Sequence, residues 1–298
     1  MEKKRKKKGR YQFLAVSLPF IILLGAFFYV NPTQWYLFKT GFGTKHISMK
    51  QTARSMKECS LEELKQDKMV TFDQSMMLVN TEYMLSEDFK AETKQYKDSG
   101  LLMNHCIIDA YAKLSVAVSE ATEDKLYVSS SVRNKEEQAK LYEEDSKTAT
   151  IPGASEHETG LCLDVYVAHY AGDGFLRSKA GQFVNSNCYQ YGFIIRYPSY
   201  GKRVTGIPFE PWHIRYVGQP HATIISCNRL TLEEYILSLE EGICYEAEGY
   251  YITRQRTKDG KIQIPDDCES YIISLDNTGC YIITGKKKIA KALYLETV

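Results

Sequence analysis

Between Tyr11 and Phe38 the chain carries no charged residue, and within that window "FLAVSLPFIILLGAFFYV", Phe13 to Val30, is almost wholly apolar. As a helix this stretch rises roughly 27 Å, close to the ~30 Å hydrocarbon core of a bilayer. Tyr11 at one end and Trp35 with Tyr36 at the other suit the two headgroup interfaces. Pro19 is tolerated in a membrane helix and would harm a soluble one. A cleaved signal peptide wants a shorter apolar run and a small-residue cleavage site, which "GAFFYVNPTQ" lacks; a lipoprotein signal wants a cysteine there, and the first cysteine is Cys59. An uncleaved transmembrane anchor is therefore expected over 11–30. Seven Lys/Arg precede it in "MEKKRKKKGR", while Lys39, Lys45 and Lys50 are the basic residues among the twenty that follow Val30. That asymmetry keeps residues 1–10 in the cytoplasm and puts everything after Val30 outside the cell membrane.

A formal net charge of +1 gives no ground for expecting a nucleic-acid partner. The eight cysteines (59, 106, 162, 188, 227, 244, 268 and 280) all fall on the outer side, without CxxC pairs or a zinc-ribbon spacing. An oxidising compartment permits disulfides, and Cys268 with Cys280 is the pair to test first; for most of the cysteines, buried small hydrophobes are at least as good a description.

Residues 31–74 are mixed and polar and are expected to form an extracellular stalk. Residues 75–242 have the texture of a compact α+β domain. Ile107, Ile108, Tyr111, Leu114 and Val118 recur at helical steps, "KLYVSSSVR" reads as a strand running into a polar loop, and "NKEEQAKLYEEDS" as a solvated helix. In "LCLDVYV", Leu161, Leu163, Val165 and Val167 alternate onto one strand face, leaving Cys162, Asp164 and Tyr166 on the other. "FIIRY" and the end of "EPWHIRYVG" read as further strands, and "TLEEYILSLEEG" as a helix with a Thr231–Glu234 capping box. From 243 to 298 the chain turns into short Tyr/Ile strands joined by Asp-Gly and Asn-Thr-Gly turns, a small all-β appendage. Arg254, Arg256, Lys258, Lys261 and Lys286 to Lys288 cluster there, as edge-strand lysines or as a contact for an anionic wall polymer or membrane.

Of six histidines, His157 and His213 have acidic company. His157 stands seven residues before Asp164, and Glu210 three before His213. A catalytic zinc takes three nitrogen or carboxylate donors and leaves one position open. His157, Asp164 and His213 are a sensible donor set, with Glu210 free to serve as general base. Pro211 forbids a regular element there, and a Pro-bent lead-in would let Glu210 and His213 converge. Spacing alone leaves two possibilities open, a metal centre or scattered polar residues. His169 and His221 are further candidates for an outer shell or for plain surface histidines.

"SEHETGLCLDV" resembles the S-x-H-x-x-G-x-x-x-D signature, and "EPWHIRYVG" the E-x-W-H-x-R-Y-V-G signature, of the VanY-like zinc D-alanyl-D-alanine carboxypeptidases. "MLVNTEYMLSEDF" and "SSSVRNKEEQ" are similar to that family's flanking segments, so the likeness runs from about Ser75 to Gly242. It implies a small antiparallel sheet flanked by helices and holding Zn2+ on His157, Asp164 and His213, with Glu210 as catalytic base. It places Arg133, Gln138 and Ser155 against the substrate's carboxylate or peptide, Arg133 also helping the oxyanion; Trp212, Arg215 and Tyr216 either line the pocket or pack and brace His213. The implied substrate is a peptidoglycan stem peptide losing its terminal D-alanine. An L,D-carboxypeptidase acting on tetrapeptide stems and a non-catalytic zinc-containing wall-binding module are the alternatives. Two departures stand out: "SSSVRN" replaces Gly and Tyr before the arginine, and Cys162 replaces the usual alanine two residues before Asp164.

Overall fold

The computed structural model describes residues 23–41, 45–146 and 149–288, in two units that divide at Thr44. In the first, Leu23–Val30 is helical and a second helix, Pro32–Thr40, starts on Pro32, where a missing N–H costs nothing. The basic tail and most of the expected anchor over 11–30 lie outside the described residues, and among those described no helix is long and apolar enough to cross a membrane.

At the centre of the second unit is a four-stranded antiparallel sheet in the order Tyr127–Ser130, Cys162–Tyr166, His213–Tyr216, Phe193–Ile195. The expected alternation holds: Leu161, Leu163, Val165 and Val167 are at most 1% exposed and pack with Ile107, Tyr111, Leu114 and Val118, along the helix Ile108–Thr122. Full burial of each such side chain contributes on the order of 1.5–3 kcal/mol, so this apolar face fixes the strand register. The helix Lys179–Asn187 joins the same core through Ala180 and Val184. The helix Lys135–Glu144 begins with an Asn134–Glu137 capping box, and Leu232–Ser238 with the expected Thr231–Glu234 box.

The stretch expected to be a stalk is folded from residue 45 onward. Its strands pair with strands between residues 244 and 275. Met56–Ser60 runs antiparallel to Lys261–Pro265. Val70–Asp73 lies parallel to Cys268–Leu275 at one edge of a six-stranded sheet, and Lys50–Gln51 closes the opposite edge against Cys244–Ala247. Between them, Tyr250–Gln255 and Tyr281–Lys287 complete that sheet.

Nor is the C-terminal segment an appendage. Tyr245, Ala247, Ile252 and Ile282 share an apolar core with Ile224, Ile225, Leu232, Tyr235 and Ile236 of the preceding helices. Ile47 and Cys59 read as polar-stalk residues only because their partners stand some two hundred positions later in the chain; both are buried. The Asp-Gly turn is as expected, with positive φ at both Asp259 (52°) and Gly260 (71°). The basic cluster is largely paired: Arg254 with Asp276, Arg256 with Glu241, Lys261 with Glu58, Lys286 with Glu269 and Lys287 with Glu246. Cys268 and Cys280 are both free and buried, so the suggested staple is not formed.

Candidate metal centre

Asp164 and His213 are Cα partners on neighbouring strands, and Ser130 faces Asp164 from the other side. This register puts Asp164 Oδ1 at 3.1 Å from His213 Nδ1. His157 arrives from a short 3-10 turn, Glu156–Thr159, which ends on Gly160 at φ +67°. A Cβ at Gly160 would sit 2.8 Å from the Asn104 backbone nitrogen, so glycine is required twice over, by conformation and by space. The turn brings His157 Nε2 to 3.3 Å from Asp164 Oδ2, with the two imidazole rings 5.1 Å apart and nearly perpendicular.

Glu210 and His213 converge through a tight turn rather than a bent strand. The His213 N–H donates to the Glu210 carbonyl over 3.2 Å, with Pro211 at the position whose φ proline presets. Glu210 Oε2 then stands 3.7 Å from His213 Nδ1, with a quarter of its side chain exposed. Burial pushes its carboxyl above the ordinary range, an effect that His213 offsets in part.

The surroundings act on both rings. His157 Nδ1 is 2.7 Å from the Ser131 carbonyl, which only accepts, so Nδ1 carries a proton and Nε2 is the ring atom turned toward Asp164. His213 Nε2 faces Glu156 Oε2 at 3.7 Å, beyond hydrogen-bond length, so the carboxylate acts on that side of the ring through its charge. Glu156 is itself wholly buried. It accepts from Arg196 Nε at 2.7 Å and from Arg215 Nη1 at 2.6 Å, while Arg196 forks onto Glu233 at 2.6 and 2.9 Å. Arg215 also donates to the carbonyls of Ser75 and Met77.

Arg215 is therefore a brace behind His213 and not part of a pocket wall; Tyr216 packs edge-on against Phe193. Sequence reasoning missed Glu156, Arg196 and Glu233. The available signal was a charge placed inside an apolar run, as in "FIIRY", because a buried guanidinium demands carboxylates.

The cluster fits a divalent cation. Asp164 Oδ1 is buried and, despite its closeness to His213 Nδ1, is not aligned with any hydrogen-bond donor. Burial opposes ionisation of Asp164, but contacts with His157 and then His213 hold its carboxyl well below the usual range. Burial also opposes charge on His157, yet Cys162 and Asp164 beside it raise it to about 9. A concentration of anionic donors that retains protons so firmly is what a cation replaces. His157, Cys162 and His213 offer ligand atoms within 4.8 Å of one another, and Asp164 contacts both rings.

Arg133 flanks this cluster. Its guanidinium donates to Gln138 Oε1 at 2.7 Å and to Ser130 Oγ at 2.9 Å, and its backbone N–H to the His157 carbonyl at 3.1 Å. Gln138 is buried and donates onward to the Thr150 carbonyl, so it orients the arginine. Ser155 is buried at the start of the 3-10 turn, and Trp212 is half-buried against the core beside His213. His221 lies elsewhere, between Tyr235 Oη and Thr284 Oγ1, and His169 is exposed.

Two histidines and an aspartate converging from a turn and two strands, with a glutamate three residues before the second histidine, define a metallopeptidase-type site. A family model for D-alanyl-D-alanine carboxypeptidases, VanY, matches residues 100–219. A D-alanyl-D-alanine carboxypeptidase of Enterococcus faecium is 30% identical over 91% of this chain and 95% of its own length. A bifunctional D-Ala-D-Ala dipeptidase and carboxypeptidase of Enterococcus gallinarum is 38% identical over 35% of this chain and 62% of its own. Among solved structures, a vancomycin-resistance D,D-dipeptidase with a D-Ala-D-Ala phosphinate analogue matches with a TM-score of 0.62 at 25% identity, over 79% of this chain and all of that one. A VanYB complex with D-alanine-D-alanine matches with a TM-score of 0.50 at 28% identity, over 56% of this chain and 99% of that one. The chain belongs to the VanY family of D-alanyl-D-alanine carboxypeptidases and is a carboxypeptidase.

Proposed function

We propose that the chain is a membrane-anchored, extracellular zinc D,D-carboxypeptidase that removes the terminal D-alanine from peptidoglycan stem peptides. The observation that carries it is the convergence of His157 Nε2, Asp164 and His213 Nδ1, with Glu210 at 3.7 Å. These three residues would hold the metal. When bound, zinc supplies Lewis-acid chemistry, polarising the scissile carbonyl and making its water acidic. Glu210, partly exposed and with its carboxyl raised by burial, takes the proton of the attacking water and returns it to the leaving amine. Asp164 neutralises charge between the two rings, and the Glu156 carboxylate stands behind His213 on its Nε2 side.

Arg133, preset by Ser130 and Gln138, binds the carboxylate of the terminal residue and adds positive charge beside the developing oxyanion. Ser155 and Trp212 bound the same pocket. The anchor and outer location draw support from the charge-free window behind a strongly basic tail, which also ties the domain next to the wall.

Incubating the purified chain with pentapeptide and tetrapeptide stems and weighing the products tests this. Loss of one alanine from the pentapeptide is expected. Cleavage of the tetrapeptide alone would transfer the chain to the L,D class. Bound zinc without cleavage of either would leave a wall-binding module.

A further inference from the structure

Cys162 is fully buried, yet like Cys280 it belongs to none of the three apolar clusters of the described residues, whereas Cys188, Cys59, Cys244 and Cys268 each do. Its strand explains this. Leu161, Leu163 and Val165 fill the core from one face, while Cys162 shares the opposite face with Asp164. Across the ladder Cys162 pairs with Arg215 and Asp164 with His213, which puts Cys162 diagonal to His213. Its sulfur consequently lies among nitrogens: Sγ, a His157 ring nitrogen and a His213 ring nitrogen are mutually within 4.8 Å. Donors sharing one zinc, at about 2.0–2.1 Å for nitrogen and 2.3 Å for sulfur, stand roughly 3–4 Å apart, a spacing toward which a common ion would draw these atoms. Glu210 and Asp164 keep partial exposure, so solvent reaches the cluster from their side and Cys162 closes the buried side.

We propose that Cys162 is a further metal ligand, a fourth protein donor on the buried side of the centre formed by His157, Asp164 and His213, with a fifth, solvent-facing position left for the water that Glu210 serves. The proposal rests on the metal-centre reading above. As the sulfur–metal bond forms, the thiol proton passes to solvent. A thiolate shifts the preference of the site toward soft, thiophilic ions, which an alanine at this position would not do.

Cobalt and cadmium binding to the full chain test this. One equivalent of Co(II) is expected to give a thiolate-to-cobalt charge-transfer band in the near ultraviolet. Cys162→Ala is expected to keep the equivalent and lose the band, and to weaken cadmium binding by roughly tenfold or more while zinc changes less. Cys162→Ser serves as a second variant should the alanine protein fold poorly, with the same loss of the band. Stoichiometric cobalt without the band, or a band that survives in both variants, overturns the thiolate ligand and leaves the three-residue centre standing. Failure of the unaltered chain to bind cobalt or zinc at all would sink the centre itself, and this proposal with it.

Discussion

Asp164 and His213 face one another across neighbouring antiparallel strands, and a carboxylate oxygen of one lies 3.1 Å from Nδ1 of the other. The pairing register alone makes this contact, so the site is as rigid as the sheet. Asp164→Asn preserves the shape and removes the charge. Because even the outer partners of metal ligands are worth 10–100-fold in affinity, zinc binding is expected to fall by more than roughly 100-fold. Metal analysis after dialysis against a weak chelator checks it; a stoichiometric Asn variant would remove Asp164 from the ligand set.

Glu210→Ala is expected to separate binding from chemistry. The variant should keep one zinc and lose turnover by about 10²–10⁴-fold, the usual contribution of a positioned general base. Product release from a D-alanyl-D-alanine peptide, measured beside zinc content, decides. Unchanged turnover would show that Glu210 is not the base.

Glu156→Ala leaves Arg196 and Arg215 turned toward an empty, wholly buried space. Breaking a buried pair from one side costs about 3–5 kcal/mol, so a large fall in the urea midpoint is expected, with Glu156→Gln in between. A loss below about 1 kcal/mol would mean that water or Glu233 replaces the missing carboxylate.

His221 supplies the pH dependence. It is buried between Tyr235 Oη and Thr284 Oγ1, and burial lowers its pKa from 6.5 to about 3. The unfolded chain therefore binds a proton that the folded one refuses. Stability contributed by the neutral ring is complete above 6.5 and falls as the pH drops toward 3, by up to about 1.4 kcal/mol per pH unit. In His221→Gln that part of the slope should vanish from urea titrations made between those limits. An unaltered slope would assign the acid sensitivity to other groups.

Removal of residues 243–298 is expected to prevent folding of the remainder. It uncovers Tyr235 and Ile236 and strips Val70–Asp73 and Met56–Ser60 of the strands beside them. A soluble truncated chain with a cooperative thermal transition would contradict the shared core.

The central strand was legible because alternation in "LCLDVYV" and helical spacing from Ile107 to Val118 are local signals. His157, Asp164, Glu210 and His213 could be named in advance because two short motifs carry them. Glu156 could not. Its role depends on Arg196 and Arg215, forty and fifty-nine residues away, and no local pattern reports such a partnership. The stalk expectation failed for the same reason: Lys57 and Glu58 stay exposed, and Cys59 beside them is buried through a strand pairing with Lys261–Pro265 that lies some two hundred residues away. Cys162 lay between these extremes: a departure from the family pattern that could crowd the site, offer a thiolate or simply pack, until the fold placed two imidazole rings beside its sulfur.

The interleaving of the first and last strands also sets an order of events during synthesis. Met56–Ser60 waits for Lys261–Pro265, and Val70–Asp73 for Cys268–Leu275, so the earliest folded-unit residues to be made are among the last to be secured. A ribosome still holding Lys261–Pro265 or Cys268–Leu275 holds back this closure, which can follow only once both strands have emerged.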